Sequence, residues 1–158
     1  MLFSRSCQYA IQALVFLATQ RPGRHVFCRE IADHLDIPQP YLSKILQRYA
    51  QLGIIHSARG PNGGFMLARQ ADSVSLMELI EIEEGEQVEK ECLLGFKACS
   101  DETACAVHCQ WRPVKESVHK LLAGQTIGVL ARQVNSAQLR LESLSIPELP
   151  EERPRLPA

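Results

Sequence analysis

Four cysteines and one histidine lie close together in the second half of this 158-residue chain. Cys92, Cys99 and Cys105 are separated by six and five intervening residues, and His108 follows Cys105 by three. Thiolate sulfur is a soft ligand that selects iron–sulfur clusters, copper(I) or zinc, and imidazole suits both iron and zinc. In a helical turn, either His108 or Cys109 would share a face with Cys105. The segment is therefore a candidate metal centre, and we favour His108 over Cys109 as the fourth ligand.

Two other interpretations of these cysteines remain open. Three cysteines and a histidine also form a common structural zinc set, and clustered thiols can act as a redox switch without metal. Structural zinc sites, however, usually pair cysteines two to four residues apart, whereas the wider gaps here suit a loop around a larger cluster. An iron–sulfur cluster is therefore the favoured prediction, with zinc and a thiol switch as alternatives.

The residues before the cysteines predict a DNA-binding fold. Apolar periodicity predicts helices over 4–19, 29–35 and 40–52, with a turn at 36–38 that ends at Pro38. Two short apolar runs at 54–58 and 65–68 flank a glycine-rich loop, which is typical of a hairpin. Ser75 and Glu78 form a capping box that opens a further helix. We expect a mainly α protein with a small β-hairpin, arranged as a winged helix-turn-helix head.

A second apolar stripe follows the cysteines, and it predicts a long helix over 107–123. Because a helix appended to a compact head needs a partner surface, we expect a homodimer. Pro113 should delay the start of this helix or kink it. Thr126 should cap a short last helix ending near residue 133. The predicted organisation is a winged head over 1–83, a cysteine-rich loop over 84–106, a dimerisation helix and a short C-terminal helix over 107–134, and a disordered tail over 135–158. The stripe consists of Val107, Trp111, Val114, Val118, Leu121 and Leu122.

Charge is divided unevenly along the chain. Residues 1–70 hold eight Lys or Arg against three acids, a net +5, whereas residues 71–103 hold two against ten, a net −8. A basic N-terminal half can neutralise phosphates, and the acidic middle must face away from DNA.

The helix over 40–52 is the predicted recognition helix, which would read an inverted repeat of operator DNA from the major groove, one head per half-site. Arg48 should contact the DNA backbone, and Arg59 in the wing should enter the minor groove, where glycines allow close approach. The candidate DNA-binding residues are Gln39, Tyr41, Ser43, Lys44, Arg48, Arg59, Gly60 and Gly63.

Taken together, these segments resemble the BadM/IscR/NsrR superfamily of bacterial winged-helix regulators. The resemblance covers the chain up to about residue 133. It is carried by SCQYAIQALVFLA, REIADHLDIPQPYLSKILQ, SARGPNGGFMLAR, the three-cysteine loop and WRPVKESVHKLLAGQTIGVL. Members of that superfamily are homodimers that bind operator DNA, and many hold an iron–sulfur cluster near the dimer interface.

The resemblance also implies a ligand set. Cys92, Cys99 and Cys105 match the three cysteine ligands, and His108 matches the histidine of the IscR-like branch. Gln8 occupies the position where the NsrR-like branch presents an acidic ligand from the other subunit, and the neighbouring Cys7 is a softer alternative. We expect a [2Fe–2S] cluster in preference to a [4Fe–4S] cluster, and a protein that responds to cluster, redox, nitric oxide or iron status.

Several classes of function are disfavoured. The sequence has no catalytic triad order, phosphate-binding glycine loop or paired catalytic carboxylates, so we expect no enzyme. No apolar run reaches the length of a membrane span, and the apolar N-terminus is better explained as an amphipathic helix than as a signal peptide. We therefore expect a cytoplasmic protein. A cluster protein that uses its winged domain to bind other proteins is the remaining alternative, and the basic head favours DNA.

Overall fold

The computed structural model describes residues 3–85, 92–95 and 100–137, so Cys99 lies outside the described residues. Six helices and one two-stranded sheet lie in these ranges, in the order predicted for a winged helix-turn-helix. The mainly α fold with a small hairpin is therefore confirmed. The elements are α1 (Arg5–Thr19), α2 (Cys28–Leu35), α3 (Gln39–Gln51), β1 (Ile55–Ala58), β2 (Gly64–Leu67), α4 (Leu76–Glu84), α5 (His108–Gly124) and α6 (Ile127–Ala137), with short 3-10 turns at Ala71–Ser73 and Asp101–Thr103.

The turn between α2 and α3 is set by two residues. Asp36 takes the left-handed conformation (φ 53°) at the end of α2, and the amide of Ile37 donates to the carbonyl of Ala32 at 3.0 Å. Aspartate tolerates this conformation better than most residues, because its short polar side chain can hydrogen-bond locally. Pro38 then precedes the first turn of α3, where it cannot continue α2. The helix-turn-helix is thus fixed by local chemistry.

The wing is an antiparallel hairpin in which Ile55 pairs with Leu67 and Ala58 pairs with Gly64. Val26, which lies just before α2, forms reciprocal backbone hydrogen bonds with Phe65 at 2.9 and 2.8 Å. This isolated bridge ties the wing to the start of the helix-turn-helix. The position of the wing relative to α3 is therefore determined by backbone pairing as well as by packing.

The main core joins α1, α2 and α3 through fully buried side chains such as Leu14, Ile31 and Leu46. Each such side chain contributes roughly 1.5–3 kcal/mol relative to leaving it in water. Ile127 and Ala131 of α6 lie in the same cluster, and α6 packs against α1. The last helix, which was predicted to form one unit with α5, thus shares the core of the winged head.

The helices after the wing differ from the sequence predictions at two points. α5 begins at His108 and contains Pro113, so this proline does not delay the start of the helix. α6 reaches Ala137, so residues 135–137 are helical rather than part of a disordered tail. The cap predicted at Thr126 is present, because its Oγ1 accepts a hydrogen bond from the amide of Val129 at 3.2 Å. The remainder of the predicted tail lies outside the described residues.

α4 begins as predicted, and α5 packs against it. The Oγ of Ser75 accepts from the amide of Glu78 at 3.1 Å, which caps the first turn of α4. Ile80 of α4, Cys7 of α1 and Leu122 of α5 belong to a second, smaller apolar cluster.

Within the described ranges, no helix is both long and apolar enough to cross a bilayer.

Candidate metal centre and nucleic-acid interface

Cys92 and Cys105 lie next to each other although thirteen positions separate them. Their Sγ atoms are 3.8 Å apart, Cys92 is buried and Cys105 is half-buried. One tetrahedral metal ion with metal–sulfur bonds of about 2.3 Å separates two of its sulfur ligands by roughly the same 3.8 Å. The spacing of these two sulfurs therefore fits two ligands of a single metal ion, in a cluster or alone.

His108 follows Cys105 by three residues and is the first residue of α5, where it is buried. Its Nε2 lies 2.9 Å from Oδ1 of Asp101, and Nη1 of Arg112 contacts the same carboxylate at 3.1 and 3.3 Å. The hydrogen bond to His108, together with the charge of Arg112, holds the pKa of Asp101 below its usual range. Asp101 was not among the predicted site residues, although an acid between two candidate ligands is a signal that could have identified it.

The other candidate ligands are placed less favourably. Within the described residues, no three His, Cys, Asp or Glu side chains are gathered as a metal site, and the predicted third thiolate, Cys99, lies outside them. Cys109 is exposed on α5. Cys7 is fully buried, and desolvation together with the nearby Glu84 and Glu83 raises the pKa of its thiol to about 12, which disfavours the thiolate that a metal requires.

Gln8, the remaining candidate, directs its side chain to a neighbouring backbone group. Its Nε2 donates to the carbonyl of Phe3 at 3.2 Å. A neutral amide engaged in this way is a weak competitor for iron, because soft thiolate and imidazole ligands are preferred. These observations keep His108 as the favoured fourth ligand.

The N-terminal half of α3 presents a polar surface. Gln39, Tyr41 and Lys44 are exposed and Ser43 is half-buried. The ring of Tyr41 makes an edge-to-face contact with Tyr9 of α1, with centroids 5.8 Å apart. Tyr41 is therefore held in position while 43% of it stays accessible, so it serves both packing and the exposed face.

Arg48, predicted to contact the DNA backbone, is engaged within the protein. Its guanidinium lies 3.4 Å from Oε2 of Glu83 and also donates to the carbonyl of Ile82 at the end of α4. The Glu83 side chain is only 3% exposed, and its Oε2 also accepts from Oγ of Ser6 at 2.6 Å. This buried acid joins α1, α3 and α4, and sequence patterns gave no signal for it. A role for Arg48 in DNA binding would compete with this ion pair.

The wing loop carries the remaining candidates. Arg59 is exposed at its start, and Gly60 has φ +101° with open space around it. Gly63 differs, because a Cβ there would lie 2.4 Å from the carbonyl oxygen of Ala58. Glycine at position 63 is therefore explained by close packing inside the wing, whereas Gly60 and Arg59 lie on its surface.

A helix-turn-helix with an exposed polar recognition helix and a β-hairpin wing defines the class of winged-helix DNA-binding proteins. Residues 3–133 match the model of the Rrf2 family, which is described as iron-dependent transcriptional regulators. The chain belongs to the Rrf2 family. It is a transcriptional regulator that binds DNA, and it is not an enzyme.

Individual relatives agree with this assignment. The chain is 35% identical over 129 residues to a protein of Aquifex aeolicus (strain VF5) described as an HTH-type transcriptional regulator, covering 80% of this chain and 89% of that protein. It is 28% identical over 123 residues to the HTH-type transcriptional regulator IscR of Escherichia coli (strain K12 / DH10B), covering 78% and 75%. The solved structure of CymR, the global cysteine regulator of B. subtilis, has a TM-score of 0.70 at 20% identity, covering 82% and 95%, and shares the fold.

Proposed function

We propose that this chain is a homodimeric regulator that binds an inverted-repeat operator and senses cluster, redox, nitric oxide or iron status through an iron–sulfur cluster on Cys92, Cys99, Cys105 and His108. The observation that carries the proposal is the 3.8 Å approach of the Cys92 and Cys105 sulfurs, and His108, three residues after Cys105, is buried. An iron–sulfur cluster is usually held by four protein ligands, and these residues would supply three thiolates and an imidazole. We favour [2Fe–2S] over [4Fe–4S].

The DNA-binding surface combines α3 and the wing. Lys44 and the exposed Arg59 would neutralise phosphates or enter a groove, while Gln39 and Ser43 would reach base edges from the first turns of α3. Two heads on a symmetric dimer would read half-sites about 34–36 Å apart. Arg48 would support this surface by holding α3 against α4 through Glu83.

The homodimer is supported by the exposed side of α5. Val114 and Leu121 are 47% and 60% exposed, and Trp111 and Val118 on the same side are only partly buried. Positions 111, 114, 118 and 121 share one helix face, so they form a continuous apolar strip in a single chain. A second copy of the chain would remove this strip from water.

The cysteine segment, residues 92–105, lies between α4 and α5 in the sequence, and this position supports a regulatory role. α4 is tied to the recognition helix through Glu83 and Arg48, and α5 carries the predicted dimer surface. When bound, the cluster would supply a redox-active and chemically labile link among Cys92, Cys105 and His108. Ligation would fix how the head is set relative to α5, and its loss would change the fraction of dimer competent to bind DNA.

A second candidate function rests on the same pair of sulfurs. Two thiols 3.8 Å apart can be joined by a two-electron oxidant such as a peroxide, with loss of two protons. The chain would then be a thiol-switch regulator. Zinc would be the corresponding structural alternative, because its bonds to sulfur give the same separation.

DNA titration tests the interface. Raising salt from about 50 to about 200 mM should weaken operator binding tenfold or more, because the contacts neutralise phosphates. Arg59→Ala should lower the affinity and reduce the salt dependence without changing the oligomeric state, and Arg21→Ala, an exposed arginine between α1 and α2, is the matched control. Wild-type affinity in Arg59→Ala would overturn the wing assignment.

A further inference from the structure

The carboxylate of Asp101 is held by two side chains from the first turns of α5. Its Oδ1 lies 2.9 Å from Nε2 of His108, and Nη1 of Arg112 contacts Oδ1 and Oδ2 at 3.1 and 3.3 Å. His108 and Arg112 are four residues apart, so they share one helix face and meet at the same carboxylate. We call these three residues the Asp101 triad.

The chemistry of the triad determines which ring nitrogen of His108 carries a proton. An ionised carboxylate can only accept hydrogen bonds, so in this contact Nε2 donates and is protonated. In a neutral imidazole the lone pair then resides on Nδ1. Metal-ligating histidines almost always donate their other ring N–H to a carboxylate, carbonyl or water, which fixes the ring orientation and raises the basicity of the ligand.

Asp101 lies inside the segment that carries the thiols, and His108 and Arg112 lie in α5 directly after it. Asp101 stands between Cys99 and Cys105 in the sequence, and the amide of His108 donates to the carbonyl of Cys105 at 3.0 Å. Cys105 in turn approaches Cys92 through its sulfur. The orientation of the imidazole is therefore set by residues of the same short segment that places the sulfurs.

We infer that Asp101 is a positioning residue of the metal centre, which holds His108 in the Nε2–H tautomer so that Nδ1 is the coordinating nitrogen, while Arg112 fixes Asp101. The inference rests on the proposed function, since it requires His108 to be a ligand. Asp101 itself would make no bond to the metal. The orientation of the His108 imidazole would depend on this acid, which lies outside the ligand set.

The first experiment uses the cluster-free full chain. Nitrogen-15 NMR of the His108 imidazole reports the tautomer directly. Wild type should show the Nε2–H form, whereas Asp101→Ala should show a mixture of both tautomers, and Glu102→Ala, which removes the exposed neighbouring carboxylate, should behave as wild type. An unchanged tautomer in Asp101→Ala would overturn the inference.

The second experiment uses the anaerobically reconstituted full chain. Asp101→Ala should lose iron to a chelator at least about tenfold faster than wild type. Replacing the residue that hydrogen-bonds to a ligating histidine typically lowers the metal affinity about 10–100-fold. Its reduction potential should rise, since a negative charge and ligand basicity are lost, and Asp101→Glu should restore part of both values. If both variants take up the cluster and Asp101→Ala has the same rate of iron loss and the same reduction potential as Glu102→Ala, this inference alone would be overturned. A wild-type chain that takes up no cluster would overturn the proposed function, and this inference with it.

Discussion

At the scale of single residues, the cysteines of this chain divide by environment. Cys92 and Cys105 lie together, and Cys109 is exposed on α5. Cys7 of α1 is buried in an apolar cluster with side chains of α4 and α5. Burial and the acids at the end of α4 raise the pKa of the Cys7 thiol to about 12. The same residue type thus has different chemistry at each position, and among the cysteines that the structure describes, the sulfurs of Cys92 and Cys105 have the separation expected of two ligands of one metal ion.

Thiol labelling of the native, metal-free chain follows from this division. The thiolate is the reactive form, so Cys109 should react with iodoacetamide near pH 8 while Cys7 reacts at least about tenfold more slowly. Mass spectrometry of the labelled peptides measures both rates, and labelling in denaturant, where the two rates should converge, is the control. Equal rates in the native protein would show that Cys7 is accessible, and would restore it as a candidate ligand.

At the scale of elements, the sequence predicted most boundaries to within one residue. Ser4 and Ser75 cap α1 and α4 through local hydrogen bonds, and Asp36 ends α2, so the neighbouring residues alone determine these positions. The end of α6 was predicted too early, because its last turns depend on packing against α1 and on the Asp72–Arg132 ion pair, 60 positions apart.

The candidate site was predictable in part for the same reason. Spacing along the chain was enough to single out the cysteines and His108, since the ligand types are diagnostic. The Arg48–Glu83 pair joins residues of different helices, and no short-range pattern predicts it, whereas Asp101 could have been identified as an acid between two candidate ligands. Arg48 was therefore predicted as a contact to the DNA backbone from its place on the predicted recognition helix, without knowledge of its partner.

The Arg48–Glu83 pair gives a prediction that separates stability from DNA binding. Arg48→Ala should lower the free energy of unfolding by about 1–2 kcal/mol, because it leaves the buried Glu83 carboxylate with one fewer charged partner. Lys44→Ala, four residues earlier on α3 and exposed, should leave stability unchanged and weaken operator binding. Chemical denaturation and DNA titration of both variants make the comparison. Wild-type stability in Arg48→Ala would contradict the structural role of the pair.

At the scale of the whole molecule, the chain leaves an apolar strip on α5 uncovered while α6 returns to the core of the head. The cysteine segment lies between the two parts. In the sequence, the candidate metal centre therefore lies between α4, which the Arg48–Glu83 ion pair ties to α3, and α5, which carries the proposed dimer surface.

Assembly can be tested without disturbing the fold of one chain. Leu121 is 60% exposed, so Leu121→Asp should cost little in a monomer but would bury an unpaired charge in a dimer. We expect wild type to sediment as a dimer at micromolar concentration and Leu121→Asp to sediment as a monomer. Lys120→Asp, exposed on the adjacent face, should remain dimeric. A monomeric wild type, or an unaffected Leu121→Asp dimer, would contradict the proposed surface.

The central claim, an iron–sulfur cluster held by the cysteine segment, is tested most directly by counting iron and acid-labile sulfide in anaerobically purified protein. Wild type should hold about two iron and two sulfide ions per chain and absorb visible light, and Cys92→Ala and Cys105→Ala should each lose both. Cys28→Ala, which changes a cysteine of α2 outside the proposed ligand set, should stay loaded. Wild-type protein that contains zinc or no metal after reconstitution, or full loading in Cys92→Ala and Cys105→Ala, would contradict the account.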